Sequence, residues 1–207
     1  MNPKMLRWIL AAVVAMPIVA VGLVVAFGGK PGWSPMRRLP VLGAVPEFAL
    51  TEASGQPLLR DNLRNCVWIA SFIFTRCGGV CPMMMRHQVR LQGQLPLRDD
   101  LRLVSFSVDP DYDTPKVLRE YAKAFGSDRN RWLFATGDKK QIYTLAIDGF
   151  RLGTQDANPA EEMPILHSSK LVLVDRHGFI RGYYDTDNDG VLKKLAREVE
   201  LVLAERS

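Results

Sequence analysis

The chain is poor in the residue types that most often carry chemistry, with three cysteines and three histidines in 207 residues. Three cysteines are too few to staple a disulfide-dependent mini-domain, and an apolar fraction of 47% supplies a core without such help. Internal repeats and low-complexity tracts are lacking, which argues against a solenoid or a linker-like chain. An excess of one charge sign is lacking too, once its location is considered. The net charge is +5, yet residues 1–30 hold Lys4, Arg7 and Lys30 and no acid. That leaves 24 basic residues against 22 acidic ones for the rest of the chain. So even a balance does not make the single-sign surface that binds phosphate, and no nucleic-acid partner is expected.

What the chain has in excess is one long apolar run. Residues 8–27 (WILAAVVAMPIVAVGLVVAF) carry no charge and are enough to cross a bilayer as a helix. Pro17 is tolerated better in such a helix than in a soluble one. The rival is a cleaved signal peptide with Val24 and Ala26 before the cut, but the run exceeds the usual length and no lipid-accepting cysteine follows. The reading is therefore a short segment at 1–7, an anchor at 8–27, a Gly/Pro-rich linker at 28–45 and a folded domain over 46–207. Basic residues flank both ends of the run (Lys4 and Arg7; Lys30, Arg37 and Arg38), so charge alone does not orient it.

Past the linker, strand and helix signals alternate. Residues 47–50 read as a short strand, and residues 66–74 (CVWIASFIF) are apolar on both faces, as a central parallel strand is. A helix is expected over 82–95 and a second apolar strand over 101–108. Thr114 and Pro115 make an N-cap and first-turn pair for a helix whose stripe is Leu118, Tyr121, Ala122 and Phe125. A strand over 132–136, a helix over 139–147 and a hairpin of 170–175 with 179–185 follow. The chain closes on an amphipathic helix carrying Leu192, Leu195, Val199 and Leu203. The alternation predicts a mixed, mostly parallel sheet covered by helices.

Cys77-Gly78-Gly79-Val80-Cys81-Pro82 falls between a buried strand and a helix, where α/β folds place their sites. Cys81 is expected at the helix start, where thiolates are favoured, and the glycines allow both sulfurs to face one point. Two thiolates are soft ligands suited to Cu(I) or zinc; a structural disulfide or a buried pair is the plainer reading. Among the histidines, His87 reads as a helix-surface residue and His177 as a solvated turn residue. His167 enters a strand from a loop, and is a structural residue unless it joins the dithiol as a third ligand. Cys66 opens the central strand and reads as a buried, inert thiol. Met83, Met84 and Met85 read as core filling, with accessory Cu(I) binding by thioethers as the alternative.

Three blocks, VPEFALTEASGQPLLRDNLRNCVWIASFIFTRCGGVCP, SVDPDYDTPKVLREYAKAFG and HSSKLVLVDRHGFIRGYYD, resemble successive blocks of the Sco/SenC copper chaperones, in order and spacing, from about residue 45 to 185. The resemblance implies a thioredoxin-like α/β fold, a mixed sheet flanked by helices, preceded by one N-terminal transmembrane helix. It implies copper held by Cys77, Cys81 and His167, with Cys77 and Cys81 also able to form a disulfide. It implies an inner-membrane protein whose domain lies in the periplasm or another extracytoplasmic space. The partner implied is the copper-A-bearing subunit of cytochrome c oxidase or another copper-handling protein. Two residues depart from the family's pattern: Gly78 stands where proline usually follows the first cysteine, loosening the loop, and Leu166 stands where an acid often precedes the histidine. Asp109 and Asp113 of the SVDP block read as loop or capping acids, with a direct role at the site as the alternative.

Metallochaperone and thiol–disulfide oxidoreductase are the two functions to be weighed. Typical thioredoxin-like oxidoreductases separate their cysteines by two residues rather than three, and dithiol chemistry makes no demand on His167. A peroxidase is a remote third reading, suggested only by PEFALT.

Overall fold

The computed structural model describes residues 16–17, 38–152, 168–186, 188 and 190–205. The expected anchor at 8–27 (two residues apart), the segment at 1–7 and His167 lie outside the described residues, among which no helix is long and apolar enough to cross a membrane. The strands are β1 (Gly43–Ala44), β2 (Ala49–Glu52), β3 (Pro57–Leu59), β4 (Val67–Ile73), β5 (Leu101–Ser107), β6 (Trp132–Thr136), β7 (Lys170–Val174) and β8 (Phe179–Asp185). The helices are α1 (Val80–Gln94), α2 (Pro115–Ala124), α3 (Lys139–Thr144) and α4 (Val191–Ala204). All eight strands join in one sheet of order β1-β8-β7-β4-β5-β6-β2-β3.

Only the β4–β5 and β5–β6 pairs are parallel; the other pairings are antiparallel. The mostly parallel sheet expected from the strand–helix alternation is thus confined to three central strands. The cause lies in the rims. β2–β3 and β7–β8 are hairpins, and a short turn can join only antiparallel strands. Gly178, at φ +81°, supplies the left-handed residue that the tight β7–β8 turn requires.

Residues 39–45, expected as linker, belong to the domain. Gly43 and Ala44 pair with Ile180 and Phe179, and Val45 is buried. Leu39 and Pro40 offer their carbonyls to the buried Arg181, which also grips Asp175 and Glu205. A buried guanidinium must satisfy its donors, and backbone of the supposed linker provides acceptors.

β4 is buried at all seven positions, in agreement with its unbroken apolar sequence. Phe72 stacks on Phe106 at 5.2 Å, and both meet Phe150. A polar seam crosses this core: Trp132 Nε1 donates to Ser105 Oγ (2.9 Å), which meets Ser71 Oγ (2.8 Å), which donates to Gln88 Oε1 (3.1 Å). Each buried polar group of the seam finds a partner, so the seam is tolerated in an apolar interior. α1 packs beside α4, and α2 against β6.

Candidate functional site

The register of the parallel strands decides where the site forms. Ile73 pairs with Ser107, so β4 and β5 end side by side and their following loops are neighbours. The first loop carries Thr75, Arg76 and Cys77 into α1; the second carries Asp109 and Asp113 into α2. The two are bolted together. Asp113, fully buried, accepts from the Thr75 backbone N–H (3.0 Å), from the Thr75 hydroxyl and from the Ser107 hydroxyl (2.6 Å). Asp109 accepts from Arg76 Nε (3.1 Å) and Nη2 (2.6 Å), and the Arg76 guanidinium lies 4.4 Å over the Tyr112 ring. Asp113 is therefore a strut beneath the cysteine loop, where the sequence suggests a loop or capping acid or a direct role at the site. The signal was there in Ser107, a polar residue ending an apolar strand, and in Thr75, just past the end of another.

Cys77 and Cys81 come together as expected. The helix begins at Val80, so Cys81 sits in its first turn and Cys77 in the loop before it. Both are buried, at 8% and 5% exposure, as neighbours close enough to act on each other electrostatically. Gly79 is the N-cap residue of the helix, and a Cβ built there meets nothing within 4 Å.

The expected thiolate at the helix start is not what the surroundings favour. The Cys81 thiol is pushed up to about 12, first by burial and then by its Cys77 neighbour and the Asp113 charge, against a hydrogen bond from the Phe74 backbone. Desolvation of the charged form outweighs the helix terminus here. Burial thus favours the neutral form of Cys81 in the metal-free protein.

The remaining expectations divide. Met84 and Met85 are fully buried core residues. His177 is exposed in its turn. His87 is only half exposed, and its Nδ1 is buried without a hydrogen-bond partner among the described residues. Cys66 precedes β4 rather than opening it and is half-buried, near the Asp99 carbonyl (4.0 Å), its thiol raised by burial. No group of three metal-ligating residues is complete among the described residues, His167 being outside them. The strand that follows His167 is placed clearly. β7 runs antiparallel to β4, with Val172 opposite Ala70, so its start at Lys170 lies toward the end of β4 that leads to Cys77. Ser169 is tied there to Asp185 (2.7 Å) and Thr186.

Comparison with known proteins adds the family. A model of the SCO1/SenC family matches residues 41–202. A SCO1 protein homolog of Bacillus subtilis is 33% identical over 147 residues, 70% of this chain and 75% of that protein. A Stutzerimonas stutzeri protein with a provisional copper-binding description is 32% identical over 148 residues, 70% of this chain and 71% of its own length. Among solved structures, a SCO1/SenC family lipoprotein from Bacillus anthracis superposes with a TM-score of 0.70 at 28% identity, covering 79% of this chain and 97% of that one. BsSco, described as a Sco-family cytochrome c oxidase assembly protein with a disulfide switch, gives 0.71 at 28% identity, covering 82% and 100%.

Proposed function

This chain belongs to the SCO1/SenC family, and we propose that it is a copper-binding metallochaperone, anchored to the inner membrane through residues 8–27 with its domain on the extracytoplasmic side, that assists assembly of the copper A centre of cytochrome c oxidase. The observation that carries this reading is the buried, neighbouring pair Cys77 and Cys81 at the shared end of β4 and β5, on a loop fixed by Asp113. Two sulfurs brought to one point outside a helix start form a soft donor pair that fits Cu(I). His167 is the proposed third ligand, supported by the placement of its following strand at the same end of the sheet. The relatives' descriptions as a copper-binding protein and as a cytochrome c oxidase assembly protein support the cargo and the client. The uncharged run at 8–27, and a lipoprotein among the similar structures, support membrane attachment.

Chemically, loading exchanges two thiol protons for one Cu(I), so the raised Cys81 thiol makes uptake proton-coupled and lets acid favour release. Three donors leave Cu(I) open to an incoming thiolate or imidazole of the client, and the ion can move by ligand exchange without becoming free. Burial keeps water and stray oxidants from the sulfurs between the two events.

A second reading rests on the same pair: Cys77 and Cys81 reduce a disulfide of a partner and end joined to each other, the partner's disulfide becoming two thiols. Their nearness and the disulfide switch of BsSco favour it. His167→Ala separates the two. As a chaperone, the variant should surrender Cu(I) to a competing chelator far more readily and lose Cu(II) binding, while its dithiol still oxidises and reduces. Unchanged affinity for both ions would remove His167 from the site and move the oxidoreductase reading ahead.

A further inference from the structure

A cavity of about 410 Å³ lies between α2 and the turn that follows β2, over the start of β6. The strand register sets it away from the dithiol. Trp132, in its lining, pairs with Leu103 near the start of β5, whereas the cysteine loop leaves from the far ends of β4 and β5, at Ile73 and Ser107. The volume falls within the range of small-molecule sites. Ala53, Ala122, Trp132 and Phe134 give the cavity an apolar floor, with the two rings stacked at 5.2 Å. The Trp132 Nε1–H already donates to Ser105, so the indole offers an occupant ring surface alone.

The charged part of the lining is cationic. Arg119 and Arg129 both line the cavity, and neither makes an ion pair with a described residue. Arg119 is half-buried and held in place, Nη1 donating to the Ala53 carbonyl at 3.0 Å. A guanidinium has five N–H donors, so most of its capacity is left for something else. The acid of the lining, Glu52, is turned to its own loop, where it accepts from the Ser54 backbone N–H at 2.6 Å. Two cations over an apolar floor, with one acid beside them, leave an excess of one positive charge.

We propose that this cavity binds a monoanionic carboxylate with an apolar body, the carboxylate on Arg119 and Arg129 and the body against Trp132 and Phe134. A planar guanidinium matches a carboxylate in shape and pairs with it through two parallel hydrogen bonds. The apolar floor would leave an all-polar anion with unpaired groups, which is costly. Glu52 and the single surplus charge disfavour a phosphate dianion for the same reason that they accept a monoanion. A free organic acid and the C-terminal residue of a peptide share this chemistry. None of the lining residues belongs to the cysteine loop, so the site stands whether the dithiol carries copper or exchanges disulfides.

The test is a ligand-observed NMR titration of N-acetylphenylalanine against the full chain in detergent, with empty micelles as the blank and no phosphate in the buffer. The parent should bind it saturably at or below about 1 mM. The uncharged N-acetylphenylalaninamide should bind at least about tenfold more weakly, as should the acid to Arg129→Gln and to Arg119→Gln. Arg129 is exposed and without an ion pair, so its variant should melt with the parent and decides the matter if Arg119→Gln unfolds. A pentapeptide ending in phenylalanine separates the sources: binding as tight as the acid's assigns a peptide terminus, and exclusion assigns a free acid. Absence of saturable binding to the parent would overturn the proposal. So would equal affinity for acid and amide, an Arg129→Gln variant that binds like the parent, or inorganic phosphate displacing the acid at equal concentration.

Discussion

Asp113 holds Thr75 twice, through its backbone N–H at 3.0 Å and through its hydroxyl, and so suspends the cysteine loop from the start of the neighbouring helix. Because Ser107 donates to the same carboxylate, three donors would lose their acceptor if it were removed. Asp113→Asn keeps the size but replaces one acceptor oxygen by a donor, setting donor against donor. We expect a loss of roughly 1–3 kcal/mol, or about 3–10 °C in melting temperature for a domain of this size. Thermal unfolding of the reduced, metal-free protein measures it. A change of less than a degree would mean that the loop is held by something else.

The raised Cys81 thiol gives a pH dependence with a definite sign. Its folded value of about 12 lies above the ordinary 9.0, so the neutral form is the one that folding favours. The stability this contributes is complete below about pH 9 and is lost as pH rises from 9 toward 12. Two results follow for the metal-free reduced protein. Its melting temperature should fall across that window, with a smaller fall for Cys81→Ala. Alkylation of Cys81, followed by mass spectrometry, should still be accelerating at pH 10. A plateau near pH 7 would show an activated thiolate and contradict the burial argument.

Gly78 is where the loop departs from its family's usual proline, and the structure leaves room for a side chain. A Cβ built there meets nothing within 4 Å, and the residue is not among those with positive φ. Gly78→Ala should therefore stabilise the reduced protein by roughly 0.4–1 kcal/mol, by narrowing the unfolded ensemble. Denaturant titration checks this. A loss of stability would mean that the loop needs the freedom that glycine gives it.

Much of this fold is legible in the sequence, and the reasons are local. The CVWIASFIF run, the Thr114–Pro115 helix start and the Arg176–Gly178 turn each announce themselves through periodicity or turn chemistry, and each appears within a residue or two of its expected place. β1 and β3 do not, because two- and three-residue strands have no pattern of their own; their partners, β8 and β2, define them. The balance of parallel and antiparallel pairing was misjudged for a related reason, since alternation along the chain says nothing about strands added at the rims. At the site, spacing alone brings Cys77 to Cys81, but their ionisation depends on burial, which spacing does not report. The strut from Asp113 to Thr75 joins residues 38 positions apart, and only the assembled sheet brings them together.

The central claim is that Cys77 and Cys81 together hold one Cu(I). Anaerobic titration of the reduced full chain against a chromogenic Cu(I) chelator tests it most directly, with Cys77→Ser, Cys81→Ser and Cys66→Ser alongside. The account predicts one tightly held Cu(I) per chain in the parent and in Cys66→Ser, and loss of tight binding in each of the other two, with all four folded by thermal melt. Tight binding that survives loss of either Cys77 or Cys81, or that disappears with Cys66, would contradict it.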